Sequence, residues 1–302
     1  MKFIVFFLYN NVFFRVTWGK DYNIEKHRTT NRKIMKVIGK VWVVTGGGSG
    51  MGRELTLNLL SKGGRVAIAD INEAAMQETA RLAGAAAEKL SMHLLNIADK
   101  EAVFAFPEQV IAAHGTVDGI INNAGIIQPF IKVNDLGFDA INRVMNINFY
   151  GTLYMVKAFL PHLLQRPVAH IANVSSMGGF LPVPGQTFYG ASKAAVKLLT
   201  EGLHSELMES SVRVTVIFPG AVNTNITTNS GVSAPVDAGS VEDSPIKPLA
   251  AGKAAEIMIK GIEQDKYRIL VGRDARFMDW FSRFSPAAAA KLIYKQMKRL
   301  LD

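Results

Sequence analysis

Tyr189-Gly190-Ala191-Ser192-Lys193 places a phenol and an amine four residues apart. On a helix, that spacing sets both side chains on one face. An ammonium beside a phenol stabilises the phenolate and draws its pKa down from about 10. Such a pair is a general acid/base suited to interconverting an alcohol and a ketone. Ser176 lies thirteen residues upstream, at the end of an apolar run, where a loop can return its hydroxyl to the same place. By itself, a Tyr–Lys pair on a helix is most often a solvated surface pair, so its meaning depends on what accompanies it.

A second group of residues suits a nucleotide. Thr45-Gly46-Gly47-Gly48-Ser49-Gly50-Met51-Gly52 follows an apolar run and leads into a stretch of helical spacing. Small residues admit a pyrophosphate to the backbone, and a helix N-terminus offers free N–H groups. The G-x-G-x-x-G pattern fails, because its third glycine falls on Met51 or Arg53. The phosphate loop of nucleotide triphosphatases fails too, because Arg53-Glu54 follows Gly52. Asp70 ends the next apolar run, twenty residues beyond Gly50. A carboxylate there accepts both hydroxyls of an adenosine ribose and repels a 2′-phosphate. Ile71 follows it and Ser49 is neutral, so the expected cofactor is NAD in preference to NADP.

The elements that must position these residues follow from hydrophobic periodicity. Apolar runs of strand length occupy 41–45, 65–70, 90–95, 117–122, 169–175, 212–218 and 268–272. Stretches of helical spacing lie at 50–61, 73–83, 100–113, 138–164, 189–208 and 250–264. Near-continuous apolar strands alternating with helices predict an α/β fold, one doubly wound domain with a seven-stranded parallel sheet covered on both faces. Residues 223–248, rich in Thr, Asn, Ser, Pro and Gly, exceed an ordinary connection and read as a lid or binding loop.

In order and spacing, Thr45-Gly46-x-x-x-Gly50-x-Gly52, Asn122-Asn123-Ala124-Gly125, Asn148, Ser176, Tyr189-x-x-x-Lys193 and Pro219-Gly220 resemble the short-chain dehydrogenases/reductases. The resemblance spans about residues 37–275. It implies a Rossmann-type fold and NAD(P)-dependent oxidoreduction. Tyr189 would be the catalytic acid/base, and Lys193 would hold the nicotinamide ribose while lowering the tyrosine pKa. Ser176 would orient the substrate oxygen, and Asn148 would hold a water that relays the proton outward. Cofactor contacts are implied for Gly46, Ser49, Gly50, Met51 and Gly52, for Asp70, and for Asn96 and Ile97 after the third strand. Asn123, Ala124 and Gly125, Tyr189 and Lys193, and Pro219, Gly220, Val222 and Thr224 complete that set. Family members often carry Asp where Asn96 stands; the asparagine carbonyl can still accept a hydrogen bond from adenine. Homo-oligomers, dimeric or tetrameric, packed through 138–164 and 189–208, are implied as well.

The residues expected to face the substrate are apolar: Ile126, Ile127 and Phe130, then Met177, Phe180, Leu181, Pro182, Val183, Pro184 and Phe188. Those stretches hold no cation to grip a carboxylate or phosphate, unless the lid supplies Lys247. A lipophilic alcohol with its ketone or aldehyde is therefore expected, and the chain is similar to bacterial relatives of hydroxysteroid and retinol dehydrogenases. The alternatives are a small polar ketone, sugar or 3-oxoacyl thioester, and a non-catalytic NAD-binding interaction protein. No H-E-x-x-H is present, and Ser49, Ser176 and Ser192 lie in no complete G-x-S-x-G. Metal and Ser-hydrolase chemistry are therefore not expected.

The chain of 302 residues is 49% hydrophobic and 20% charged, which excludes disordered, collagen-like and coiled-coil classes. Its lack of cysteine excludes disulfide scaffolds and sulfur-ligated zinc. The net charge of +9 raises a polyanion partner. Residues 1–34 carry seven Lys/Arg against two Asp/Glu, or +5, which leaves +4 for the rest. With no nucleic-acid motif in that remainder, no nucleic-acid partner is expected. The apolar run at 3–9 is interrupted by Asn10-Asn11 and is far short of the about 20 residues that cross a bilayer. Residues 1–34 therefore read as an extension, poorly ordered or upstream of a true start at Met35, with an interfacial anchor as the alternative. The catalytic domain reads as 35–275, and 276–302 as an amphipathic basic helical tail that suits a peripheral membrane contact. The expected location is cytoplasmic, membrane-associated if that tail binds lipid.

Overall fold

Seven of the chain's apolar segments pair side by side in the computed structural model, which describes residues 4–9, 12–17, 34–232 and 247–298. Near the N-terminus, β1 (Ile4–Tyr9) and β2 (Val12–Thr17) form an antiparallel hairpin. This hairpin belongs to a separate compact unit, residues 1–33.

The larger unit begins with β3 (Val41–Thr45), α1 (Gly50–Ser61), β4 (Arg65–Asp70), α2 (Glu73–Ala83), β5 (Leu90–Leu94) and α3 (Lys100–His114). Next come β6 (Gly119–Asn122), α4 (Phe138–Met145), α5 (Thr152–Leu164), β7 (Ala169–Val174), α6 (Thr187–Glu206) and β8 (Val212–Pro219). Then follow β9 (Val222–Asn223), α7 (Ile226–Asn229), β10 (Leu249–Ala250), α8 (Ala251–Glu263), β11 (Arg268–Val271), α9 (Arg273–Phe284) and α10 (Pro286–Met297). The main sheet is parallel, in the order β11-β8-β7-β6-β3-β4-β5. Of the expected lid, residues 233–246 lie outside the described residues; β9 and β10 pair in parallel at its two ends.

The alternation within β3 explains why the sheet is covered twice. Trp42 and Val44 pack with Leu55 and Leu59 of α1 and Met258 and Ile262 of α8 on one face. Val41 and Val43 pack with Phe106 of α3 and Phe159 of α5 on the other. Both sets are fully buried, so the strand reads as a continuous apolar run, as a parallel sheet requires. Asn72 caps α2 by accepting from Ala75 N–H, and Asp99 caps α3 by accepting from Ala102 N–H.

One boundary departs from the periodicity. The stretch 138–164 reads as a single helix, but a π-helical turn, Asn146–Gly151, separates α4 from α5. An inserted π turn shifts the phase of the side chains that follow it, and such turns concentrate at functional sites.

His170 in β7 is fully buried and exchanges a hydrogen bond with Thr215 Oγ1 through Nε2 at 2.8 Å. The Thr215 hydroxyl donates to the Lys266 carbonyl, so Nε2 must carry the proton. Nδ1 has no partner. Protonation would add a buried N–H with no acceptor, and burial, aided by Arg213, pushes the imidazole down to about 3. An unfolded histidine titrates near 6.5. The stability that depends on neutral His170 is therefore complete above pH about 6.5 and lost as pH falls toward about 3, by up to about 5 kcal/mol. Urea titrations at pH 7 and pH 5 should show a larger stability loss in the wild type than in His170→Gln. Equal losses would contradict this.

Candidate active site

The sheet order reverses direction between β3 and β6, and the crevice at the carboxyl ends of those strands is where α/β sheets bind ligands. Thr45 Oγ1 accepts from the N–H groups of Asn123 and Ala124, both at 3.0 Å, and Asn123 Nδ2 donates to the Thr45 carbonyl at 3.0 Å. These bonds lock the two strand ends around a cavity of about 270 Å³.

Of the residues expected to meet a cofactor, Gly46, Ser49, Gly50, Met51, Asp70, Asn96, Ile97, Asn123, Ala124, Gly125 and Thr224 line this cavity. Gly52 stands behind the wall. A Cβ there would lie 1.9 Å from the Gly46 carbonyl oxygen, so only glycine lets α1 approach the turn. Gly46 itself has φ +69°, the left-handed region that glycine tolerates. Asp70 accepts from Gly48 N–H at 2.9 Å and from Asn72 N–H at 3.0 Å, which fixes its carboxylate on the wall. Asn96 spends its carbonyl oxygen on Ala98 N–H at 3.0 Å. Asn123 Oδ1 is buried without a partner.

Pro219, Gly220 and Val222 are not in the wall. The residue after Gly220, Ala221, donates its N–H to Asp274 Oδ2 at 2.7 Å, and Val222 pairs with Leu249. Thr224 does reach the turn: a Cβ on Gly50 would lie 3.4 Å from Thr224 Cβ. Helix α7 continues this contact, because Asn229 Nδ2 donates to Ser49 Oγ at 2.8 Å.

In the wall of the cavity, Gly125 abuts Lys193 and Asn148. A Cβ on it would lie 3.0 Å from Lys193 Nζ and 3.1 Å from Asn148 Oδ1. Tyr189 and Lys193 occupy the first turns of α6, as their spacing predicts. Lys193 Nζ donates to the Val174 carbonyl at 3.0 Å. Ser176 opens a short turn by accepting from Gly178 N–H at 3.0 Å, and its hydroxyl hydrogen-bonds the Tyr189 phenol. Asn148 sits in the π turn and is fully buried. Its Oδ1 accepts from Ile126 N–H at 2.9 Å, and its Nδ2 donates to the Ile126 carbonyl and to Ser192 Oγ. Lys193 and Asn148 thus meet at Gly125, while Ser176 and Tyr189 pair with each other beside Gly178.

The electrostatics correct one expectation. Burial pushes the Tyr189 phenol above its ordinary value, and the Ser176 hydrogen bond only partly opposes this. Burial also pushes the Lys193 ammonium down to about 8. The expected lowering of the tyrosine by its lysine is not what this arrangement gives: burial raises the phenol, and the opposing influence comes from Ser176.

The apolar lining is also redistributed. Leu181 is buried with Met278, Ala289 and Ile293 of the C-terminal helices, and Met177, Phe180 and Val183 pack against that cluster. Phe180 further makes an edge contact with Phe218. Ile126 and Ile127 remain beside the site and are mostly buried.

Two residues with a structural claim on the site carry no motif. Gln128 is fully buried; its Oε1 accepts from Phe188 N–H at 2.8 Å and Tyr189 N–H at 3.1 Å, and its Nε2 donates to the Gly185 carbonyl at 2.8 Å. It caps α6 from sixty residues away, where Gln186 at the cap position does not cap with its own side chain but donates its Nε2 to the Gln128 carbonyl at 2.7 Å. Arg143 lines the cavity and donates to the Ser230 carbonyl at 3.1 Å, while Ser230 Oγ accepts from Ile127 N–H at 3.0 Å. A polar Gln inside the apolar 126–130 stretch was the available signal for the first; nothing in the sequence marked the second.

Among the described residues, no three His, Cys, Asp or Glu side chains gather where they could hold a metal ion.

The short chain dehydrogenase family model matches residues 40–233. The SadH protein of Mycobacterium tuberculosis is 35% identical over 260 residues, which cover 84% of this chain and 94% of that protein. Dehydrogenase/reductase SDR family member 7B of Mus musculus is 30% identical over 235 residues, 76% of this chain and 72% of its own. A short chain dehydrogenase/reductase from Burkholderia phymatum, solved in complex with NAD, superposes with a TM-score of 0.74 at 26% identity, covering 83% of this chain and 96% of that one. A short chain dehydrogenase from Burkholderia cenocepacia J2315, in complex with NADP, does so with a TM-score of 0.71 at 25% identity, covering 86% and 99%.

Proposed function

The chain belongs to the short-chain dehydrogenase/reductase family, and from that premise we propose that it interconverts a lipophilic alcohol and its ketone or aldehyde. The observation that carries this reading is that Lys193 and Asn148 meet at Gly125, in the wall of a cavity shaped by a glycine turn, while Tyr189, four residues before that lysine on the same helix, pairs with Ser176. When bound, a nicotinamide dinucleotide supplies or accepts the hydride.

The chain's own groups handle the proton and the binding. The Ser176 hydroxyl holds the substrate oxygen beside the phenol. Tyr189 gives its proton to that oxygen in reduction and takes it in oxidation. A phenol held neutral by burial carries, at neutral pH, the proton that reduction must deliver to the substrate oxygen. The Lys193 ammonium holds the ribose hydroxyls, and Asn148 holds the exit path for the proton. Gly46, Gly50 and Gly52 leave room for the pyrophosphate, and the orphaned Asn123 Oδ1 is an acceptor for a cofactor hydroxyl or amide.

The preference for NAD rests on Asp70. Two backbone N–H groups fix its carboxylate, and each oxygen keeps a lone pair for a ribose hydroxyl. The nearby Arg53 is tied to the Gly48 carbonyl and Thr79 and does not line the cavity, so a 2′-phosphate would meet an anion. Asp70→Ala should narrow the NAD/NADP ratio of kcat/KM; a wild type that already prefers NADP would contradict this reading.

The apolar residues at 126–127 and the absence of a cation from 126–130 and 177–188 support a lipophilic substrate. Assay with alcohols graded from short-chain to steroid-sized, following NADH formation, tests it. Rising kcat/KM with apolar size supports the proposal, and activity confined to small polar substrates refutes it. As in many members of the family, a homo-oligomer in the cytoplasm is the proposed working form.

A further inference from the structure

The C-terminal helices form a layer with two different sides. Inward, Met278 of α9 and Ala289 and Ile293 of α10 pack with Leu181, against Met177, Phe180 and Val183 of the segment after Ser176. Outward, α9 presents Phe277, Trp280 and Phe284, which are 53%, 60% and 78% exposed. These are the positions i, i+3 and i+7, so they form one stripe along the helix. Their rings stack along it, Trp280 on Phe284 with centroids 5.7 Å apart and planes within 3°. A folded protein has no reason of its own to hold three large aromatics in water on one helix face.

The charges around the stripe indicate what covers it. Residues 273–298 carry six cations, Arg273, Arg276, Arg283, Lys291, Lys295 and Lys298, against two carboxylates. Both carboxylates are engaged: Asp274 accepts from Ala221 N–H, and Asp279 pairs with Arg268 and Arg283. Arg273, Arg276, Lys291, Lys295 and Lys298 are all exposed, and Tyr294 stands among the lysines of α10 at 54% exposure. A second copy docked on this face would set one cationic surface against another. An anionic lipid surface satisfies both features at once, because aromatic rings partition to the headgroup level and lysines and arginines meet the anionic headgroups.

We infer that α9 and α10 dock this protein peripherally on anionic membranes, with Phe277, Trp280 and Phe284 inserted among the headgroups and the basic residues against lipid phosphates. Among the described residues no helix is long and apolar enough to span a bilayer, so the contact is interfacial. The inner side of the same layer adjoins the loop after Ser176, so a docked protein would hold its apolar site next to the lipid that dissolves its substrate. That last link rests on the proposed substrate class; docking itself does not.

Flotation of the full chain with vesicles, in the absence of substrate, tests the inference. The probes are vesicles of phosphatidylcholine alone and of an equimolar mixture with phosphatidylglycerol. The wild type should float with the mixed vesicles and be released by salt. Trp280→Ser/Phe284→Ser should bind at least about tenfold less, and Lys291→Gln/Lys295→Gln about fivefold less for each charge removed. Unfolding midpoints check that the variants fold; if the aromatic variant does not, the lysine variant carries the test. Wild-type protein that ignores mixed vesicles, or variants that bind them as well as the wild type, would overturn the inference. So would a wild type that ignores vesicles but forms a larger oligomer than the aromatic variant, because the stripe would then be a contact between copies. Turnover of a short, water-soluble alcohol should be the same in the aromatic variant and the wild type, which separates failure of docking from failure of the catalytic reading.

Discussion

Tyr189→Phe should lower turnover by about a thousandfold or more while the protein still folds and still binds NAD. The ring remains to fill its place; only the hydroxyl that exchanges a proton with the substrate and bonds Ser176 is lost. The split between intact cofactor affinity and absent turnover distinguishes a chemical role from a structural one. The pH dependence adds a second check. Burial holds the wild-type phenol protonated above its ordinary range, so ketone reduction should proceed at neutral pH, and alcohol oxidation should gain rate as pH rises. Burial also pushes Lys193 down to about 8, so the ammonium that holds the ribose is lost above that pH. The oxidation rate should therefore turn over near pH 8 in the wild type, and that limb should vanish in Lys193→Met. A Tyr189→Phe enzyme with wild-type turnover would remove the phenol from the mechanism.

Gln128→Leu should cost both stability and rate. Leucine conserves the volume but leaves Phe188 N–H, Tyr189 N–H and the Gly185 carbonyl buried without their partners. At about 1–3 kcal/mol for each unsatisfied group, the loss sums to about 3–5 kcal/mol after partial relaxation. Because two of those N–H groups open the helix that carries the phenol, the first turn of α6 should loosen, and kcat should fall by about a hundredfold, as for small misplacements elsewhere. Gln128 does not line the cofactor cavity, so KM for the dinucleotide should change little. Gln128→Glu keeps an acceptor for the two N–H groups and should recover much of the rate. Equal kcat in the wild type and Gln128→Leu, measured well below the variant's unfolding temperature, would leave the residue with no positioning role.

These two residues also mark how far the sequence could be read. Tyr189 was legible because its chemistry and its spacing to Lys193 are local, and the elements that carry both follow from a period of about 3.6. The parallel sheet was legible for the same reason: Val41 to Thr45 bury both faces, and the run shows it. Gln128 was not legible as a cap, because its partners lie sixty residues away and only the fold brings them together. The π turn at Asn146–Gly151 escaped because it interrupts hydrogen bonding without interrupting the apolar pattern. The direction of the phenol's pKa is not legible in the sequence, because spacing reports a neighbouring charge but not the desolvation that raises the phenol here. Leu181 reads in the sequence as substrate lining but is buried against α9 and α10, since an apolar side chain beside a site looks the same whether it faces a ligand or a helix of its own chain. The basic charge that first suggested a polyanion partner resolves into an N-terminal excess and the cationic outer side of α9 and α10.

The most direct test of the proposed reaction follows the hydride itself. The enzyme is incubated with a lipophilic ketone and NADH deuterated at the transferable position of nicotinamide C4, and the alcohol is analysed by mass spectrometry. The account predicts one deuterium on the carbinol carbon with the wild type, and none with Tyr189→Phe at equal cofactor occupancy. Alcohol formed without deuterium from either face of the labelled nicotinamide, or equal labelling by the Tyr189→Phe enzyme, would contradict it.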